Sequence, residues 1–108
     1  MSEIIREQEQ VVVKPSTDIV ASIASKLKGE LKSVIDEGVR QLVIDLDQVE
    51  MVDSVGLGVF IATHNSLHQN GGSLILRHAS HDIRLLLKTM RLDKHFIVEV
   101  SQQEACHG

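Results

Sequence analysis

The stretch from Gln41 to Leu67, QLVIDLDQVEMVDSVGLGVFIATHNSL, decides how the rest of the chain folds. It opens with Leu42-Val43-Ile44-Asp45-Leu46, a short apolar run rich in β-branched residues that reads as a buried strand. Asp45, Asp47, Gln48 and Glu50 then make the chain polar, before Val49, Met51 and Val52 return it toward apolar surroundings. Next comes Asp53-Ser54-Val55-Gly56-Leu57-Gly58. From there Val55, Val59 and Ala62, joined by Leu57 and Ile61, recur at helical spacing to about Gln69. Ser54 therefore stands where a strand-exit loop becomes a helix. Asp53 or Ser54 suits the N-cap, since either side-chain oxygen accepts from the free amides of the first turn. A hydroxyl in that place is exposed, rigidly held and beside a partial positive charge.

Upstream, Glu3 to Lys14 reads as two short strands or one bent one, with Ile4-Ile5 and Val11-Val12-Val13 divided by polar residues. Pro15 cannot donate to a ladder and disfavours helix at Lys14, so the strand is expected to stop there. Ser16, Thr17 and Asp18 are three successive candidate N-caps. From Ile19 to about Glu37, Ile19, Val20, Ile23, Ala24, Leu27, Leu31, Val34 and Ile35 mark an amphipathic helix with Lys26, Lys28, Glu30 and Lys32 outward. Gly38 suits the position just past its end.

Downstream, Asn70-Gly71-Gly72 closes the second helix and Ser73-Leu74-Ile75-Leu76 forms the next strand. Ser80 caps a third helix with Ile83, Leu86, Leu87 and Met90 on its buried face. Arg91 to Lys94 turns the chain into a last strand, Phe96 to Val100, and a polar tail runs from Ser101 to Gly108. Val59 and Leu86 are expected core residues of the second and third helices. The order ββαβαβαβ with short loops predicts one α/β domain over residues 1–108: a four- or five-stranded mixed sheet with helices mainly on one face.

Composition narrows the function. The chain has 108 residues, enough for one domain to bury most of its apolar surface. Two Phe and no Trp or Tyr leave no stacking platform for single-stranded nucleic acid. A net charge of −4 without a dense basic patch argues against a phosphate-backbone partner. No apolar run approaches the ~18 residues of a membrane span, and the acidic, polar start does not read as a signal peptide. A single cysteine, Cys106, forms no internal disulfide and suits a reducing cytoplasm.

Several chemistries compete for the residues of this loop. From the residues alone, helix capping is the plainer reading of Asp53-Ser54, because capping serines are common. A nucleophile elbow needs glycine at position 52, where Val52 stands. The acidic cluster Asp45, Asp47, Glu50 and Asp53 invites a receiver-like phospho-aspartate site. That chemistry also needs carboxylates at the end of the first strand to hold Mg²⁺, and Lys14-Pro15-Ser16 supplies none. These carboxylates therefore read as solvated loop charges. His64 and His68 have the i,i+4 spacing of a metal pair, with neither a third ligand nor a glutamate base evident. His78 and His81 add no obvious ligand set, and Cys106-His107 reads as incidental. Gly56-x-Gly58 is too short a motif for a nucleotide cradle and reads instead as small residues permitting close approach. No cofactor and no metal are expected.

The segments LVIDLDQVEMVDSVGLGVFIATHNSL, NGGSLILRHAS and DIRLLLKTMRLDKHF resemble the STAS domains of anti-sigma factor antagonists, over roughly Val39 to Val98. The resemblance implies a non-enzymatic, cytoplasmic regulatory switch. Its unmodified form binds an anti-sigma factor that is also a serine protein kinase, is released when Ser54 is phosphorylated, and is reset by a phosphatase of the PP2C type. Asp18, Asp53, Ser54, Val55, Gly56, Leu57 and Gly58 are the implied partner-binding positions. The sequence departs from the family pattern before the first helix, where Lys14-Pro15-Ser16-Thr17-Asp18 replaces the common Gly-x-Ile/Leu-Asp turn, and at Val55, where a small or hydroxylated residue is frequent. The first departure leaves open a non-phosphorylated scaffold module or a partner of sensory or chemotaxis type.

Overall fold

Successive side chains of a strand point to opposite faces of a sheet, and the run Val11-Val12-Val13 shows the consequence here. Val11 and Val13 join the large core under the helices, whereas Val12 packs with Val43 and Ile75 in a small cluster on the opposite face. Leu42 and Ile44 flank Val43 in the same way, as Leu74 and Leu76 flank Ile75, and all are buried. Strands buried on both faces read as unbroken apolar runs, which is why these segments show no alternation in sequence.

The computed structural model describes residues 2–92 and 97–98. Its elements are β1 (Ser2–Arg6), β2 (Gln10–Pro15), α1 (Ala21–Asp36), β3 (Gln41–Asp45), α2 (Ser54–Gln69), β4 (Ser73–Arg77), α3 (His81–Thr89) and β5 (Ile97–Val98). The five strands lie in the order β1-β2-β3-β4-β5. β1 and β2 form an antiparallel hairpin, and every later neighbour is parallel. The sheet is therefore mixed, and the buried residues of all three helices lie in the core on one of its faces. Of the polar tail, Phe96 and the ends of the last expected strand, nothing lies within the described residues.

Three local expectations change. β2 runs one residue past the expected stop at Lys14, so that Pro15, opposite Ser2, is its last residue. None of Ser16, Thr17 or Asp18 caps α1, whose N-cap is Val20 with no side-chain bond of its own. On α2, Val55 and Ile61 face solvent, while Gly56, Leu57, Val59, Phe60, Thr63 and Leu67 are buried. Gly38 does close α1, at φ 86° in the left-handed region open to glycine.

α3 is buried through Ile83 and Leu87; Leu86 is only partly buried against the core, and Met90 is exposed. Truncating the fully buried Leu87 to alanine should therefore cost about 2–5 kcal/mol, and Leu86→Ala distinctly less, on the order of 1 kcal/mol. Denaturant titration of the two variants checks this ranking. A larger loss for Leu86→Ala would show that the helix is turned the other way.

Candidate functional site

The carboxyl ends of β2 and β3 point their exit loops toward each other, and both loops lead into helix starts. Ile19 and Val52 meet there in an isolated parallel bridge. The Ile19 amide donates to the Met51 carbonyl at 3.0 Å, and the Asp53 amide donates to the Ile19 carbonyl at 3.2 Å. Two aspartates complete the junction. Asp18 Oδ1 accepts from the amides of Glu50 (2.9 Å) and Met51 (3.2 Å). Asp53 Oδ1 accepts from Gly56 N at 2.8 Å, capping α2, and its Oδ2 accepts from Ala21 N at 2.9 Å, at the first residue of α1. One side chain thus serves two helix starts.

Close packing at this junction explains Gly56. A Cβ on that residue would lie 2.3 Å from the Ile19 carbonyl oxygen and 2.9 Å from Val52 Cγ1. Only glycine lets α2 begin this near the Ile19 backbone.

With Asp53 as the cap, Ser54 becomes the first residue of α2 and its side chain is exposed. Its hydroxyl makes no hydrogen bond among the described residues. Around it, Met51, Val55 and Gly58 are exposed, and Gly56 and Leu57 are buried. The expected partner-binding set therefore divides. Ser54, Val55 and Gly58 are accessible; Asp18 and Asp53 are engaged with backbone amides inside the junction; Gly56 and Leu57 form its floor. Met51 was not anticipated, because an apolar residue in a loop carries no periodic signal of exposure.

The acidic cluster is not uniformly solvated. Asp45 is 8% exposed. Its Oδ1 accepts from Asp47 N at 3.0 Å and lies 2.9 Å from His78 Nδ1. His78 adopts a left-handed φ of 59°, an uncommon backbone for a non-glycine residue, at the exit of β4. This contact ties the β3 exit to the β4 exit and occupies the carboxylate that a receiver reading would phosphorylate. Asp47 and Glu50 are exposed. His64 and His68 stack with ring centroids 5.8 Å apart, and among the described residues no three His, Cys, Asp or Glu side chains are grouped to hold a metal ion. No described helix is long and apolar enough to cross a membrane.

Amide donation, first from Gly56 and then from Ala21 and Val55, holds the Asp53 carboxyl below its ordinary value of 3.8 against the opposing effect of desolvation. A group depressed in the folded state adds stability above its unfolded value and loses that addition as pH falls through the folded value. Asp53→Asn keeps one acceptor oxygen and loses the charge, so it should melt below wild type at neutral pH. That gap should begin to close once pH drops past 3.8 and should be absent at the acid end of the titration. A melting difference that does not change with pH would show that the charge is immaterial to the double cap.

Four known proteins or families resemble this arrangement. The family model for the STAS domain matches residues 3–105. An anti-sigma-B factor antagonist from Listeria monocytogenes is 36% identical over 72 residues, 66% of this chain and 62% of the relative. A solved structure from Thermotoga maritima superposes with a TM-score of 0.88 at 20% identity, covering 98% of this chain and 92% of that one. The Bacillus cell fate determinant SpoIIAA in its phosphorylated form superposes with a TM-score of 0.73 at 17% identity, covering 99% and 97%. The mixed sheet and its helices thus have their counterpart in a known fold, and the chain belongs to the STAS-domain family, with anti-sigma factor antagonists among its relatives.

Proposed function

We propose that this chain is an anti-sigma factor antagonist working as a phosphorylation switch in the cytoplasm. The unmodified protein binds an anti-sigma factor that is also a serine kinase; phosphorylation of Ser54 releases it, and a PP2C-type phosphatase restores it. The protein itself is the substrate and ligand of these partners and catalyses nothing. One observation carries the reading: Asp53 does the capping, which leaves the Ser54 hydroxyl exposed and unbonded on a rigid helix start. A phospho-acceptor needs that accessibility, and a capping serine does not have it. The 36% identical relative is itself named an antagonist of an anti-sigma factor, and a relative in fold is known in a phosphorylated form.

A phosphate on Ser54 adds about −1.5 to −2 charges beside Asp53. A partner surface fitted to a neutral hydroxyl then meets repulsion and the cost of desolvating the phosphate. The side chain points outward, so the fold itself is little disturbed. Ser54→Glu should thus weaken partner binding while its melting temperature stays within a few degrees of wild type. Ser54→Ala should bind but resist release by ATP. Titration calorimetry with the partner kinase, with and without ATP, reads both. Wild-type affinity in Ser54→Glu, together with ATP-driven release of Ser54→Ala, would place the switch elsewhere. A protein that binds the partner but takes up no phosphate would be a scaffold module instead.

A further inference from the structure

Between α1 and the paired ends of β1 and β2 lies a hollow of about 150 Å³. Pro15, Ile19 and Leu27 are buried along it, and Ile23 is half-buried beside them. A space of this size lined by apolar atoms forgoes the contacts that a filled core would make. The segment that borders it, Pro15-Ser16-Thr17, is the one in which the sequence departs from the family pattern. The hollow is thus built partly from residues that the resemblance does not account for.

Its rim carries one unbalanced charge. Lys26 borders the hollow, is exposed and makes no ion pair among the described residues. Glu30, one turn further along α1, has the spacing to balance it. Its Oε1 instead accepts from the Ser2 hydroxyl at 3.1 Å, a bond that ties β1 to α1. Ser16 and Thr17, both exposed, add hydroxyls to the rim. An apolar floor below one ammonium and two hydroxyls suits a molecule with an apolar body and a single anionic head.

We propose that this hollow binds a short aliphatic monocarboxylate, its carboxylate on Lys26 and its chain over Ile19, Ile23 and Leu27. Volume sets the length: an apolar cavity of about 150 Å³ accepts a molecule the size of benzene, about six carbons. One lysine with Glu30 nearby does not match a polyphosphate, whose charge calls for several cations. The site also touches the junction. Ile19 lines the hollow and is the residue against which Gly56 packs, since a Cβ at position 56 would meet Ile19 Cγ2 at 2.9 Å. Occupancy therefore has a route to the start of α2 through one side chain, whether or not Ser54 accepts a phosphate.

Amide shifts of the ¹⁵N-labelled full chain, titrated at fixed pH and ionic strength with acetate, butyrate, hexanoate and decanoate, test the site. Hexanoate should saturate at about millimolar concentration, moving amides between residues 15 and 30 and, more weakly, those of Val52 and Gly56. Acetate should bind roughly tenfold or more weakly for want of apolar contact, and decanoate no more tightly than hexanoate. Lys26→Gln should weaken hexanoate roughly fivefold and leave the binding of 1-hexanol unchanged. Lys32→Gln, on the same helix but outside the hollow, should match wild type. Ile23→Phe, which fills the space, should abolish binding of acid and alcohol alike. Failure of every acid to saturate, or shifts centred on other residues, would overturn the proposal. So would unchanged hexanoate affinity in Lys26→Gln, which would leave the anionic head without a role. Nuclear Overhauser contacts from the Met1 methyl to Ile23 and Leu27 in the ligand-free protein would overturn it too, because the chain would then fill its own hollow.

Discussion

The Asp53 carboxylate joins two helices that are far apart in sequence. Its two oxygens accept from Gly56 N and Ala21 N, 32 residues apart in the second case, and each bond satisfies an amide that a helix start leaves without an intrahelical partner. The bridge between Ile19 and Val52 and the Asp18 bonds to Glu50 and Met51 fasten the same two segments from the other direction. Because the loops interlock, α2 must begin against the Ile19 carbonyl, and that requires glycine at position 56. The position and exposure of Ser54 follow from this set of contacts.

How much of this could be read beforehand depends on range. The element order and the mixed sheet were legible because periodicity is local: Val11 to Val13, Leu42 to Ile44 and Leu74 to Leu76 are dense apolar runs between turn residues. Gly38 was legible for the same reason. The cap of α1 was not, since Ser16, Thr17 and Asp18 looked like local candidates while the acceptor came from Asp53 across the fold. In sequence Asp45 reads as a solvated charge, because nothing there shows that His78 returns to it from the end of the next strand.

Faces within helices were harder still. On α2, Val55 and Ile61 share helical spacing with true core residues, yet they point outward beside Ser54 and Gly58. Met90 belongs to the apolar series of α3 but lies past its last turn, where the backbone no longer points at the core. A spacing pattern shows that an apolar stripe exists; it does not say whether a residue at its margin meets the sheet or a partner. Around Ser54 these marginal residues are the exposed ones, and a surface that binds another protein would be expected to show such apolar residues in place of charges.

The junction also constrains how a phosphate on Ser54 can act. From sequence alone a helix start tolerates such a charge, since its free amides and dipole favour anions. In the folded chain that place is taken: Asp53 holds the Gly56 amide, and its carboxyl is depressed by amide donation that also includes Val55. A phosphate folding back onto the helix start would have to displace a carboxylate that also fastens α1. Displacement would undo one start to stabilise another, while staying outward leaves both caps intact and keeps the new charge in water. The outward position is therefore the favoured one. Under the switch proposed above, phosphorylation would change the surface potential and the shape of one helix end and would leave the fold beneath it the same.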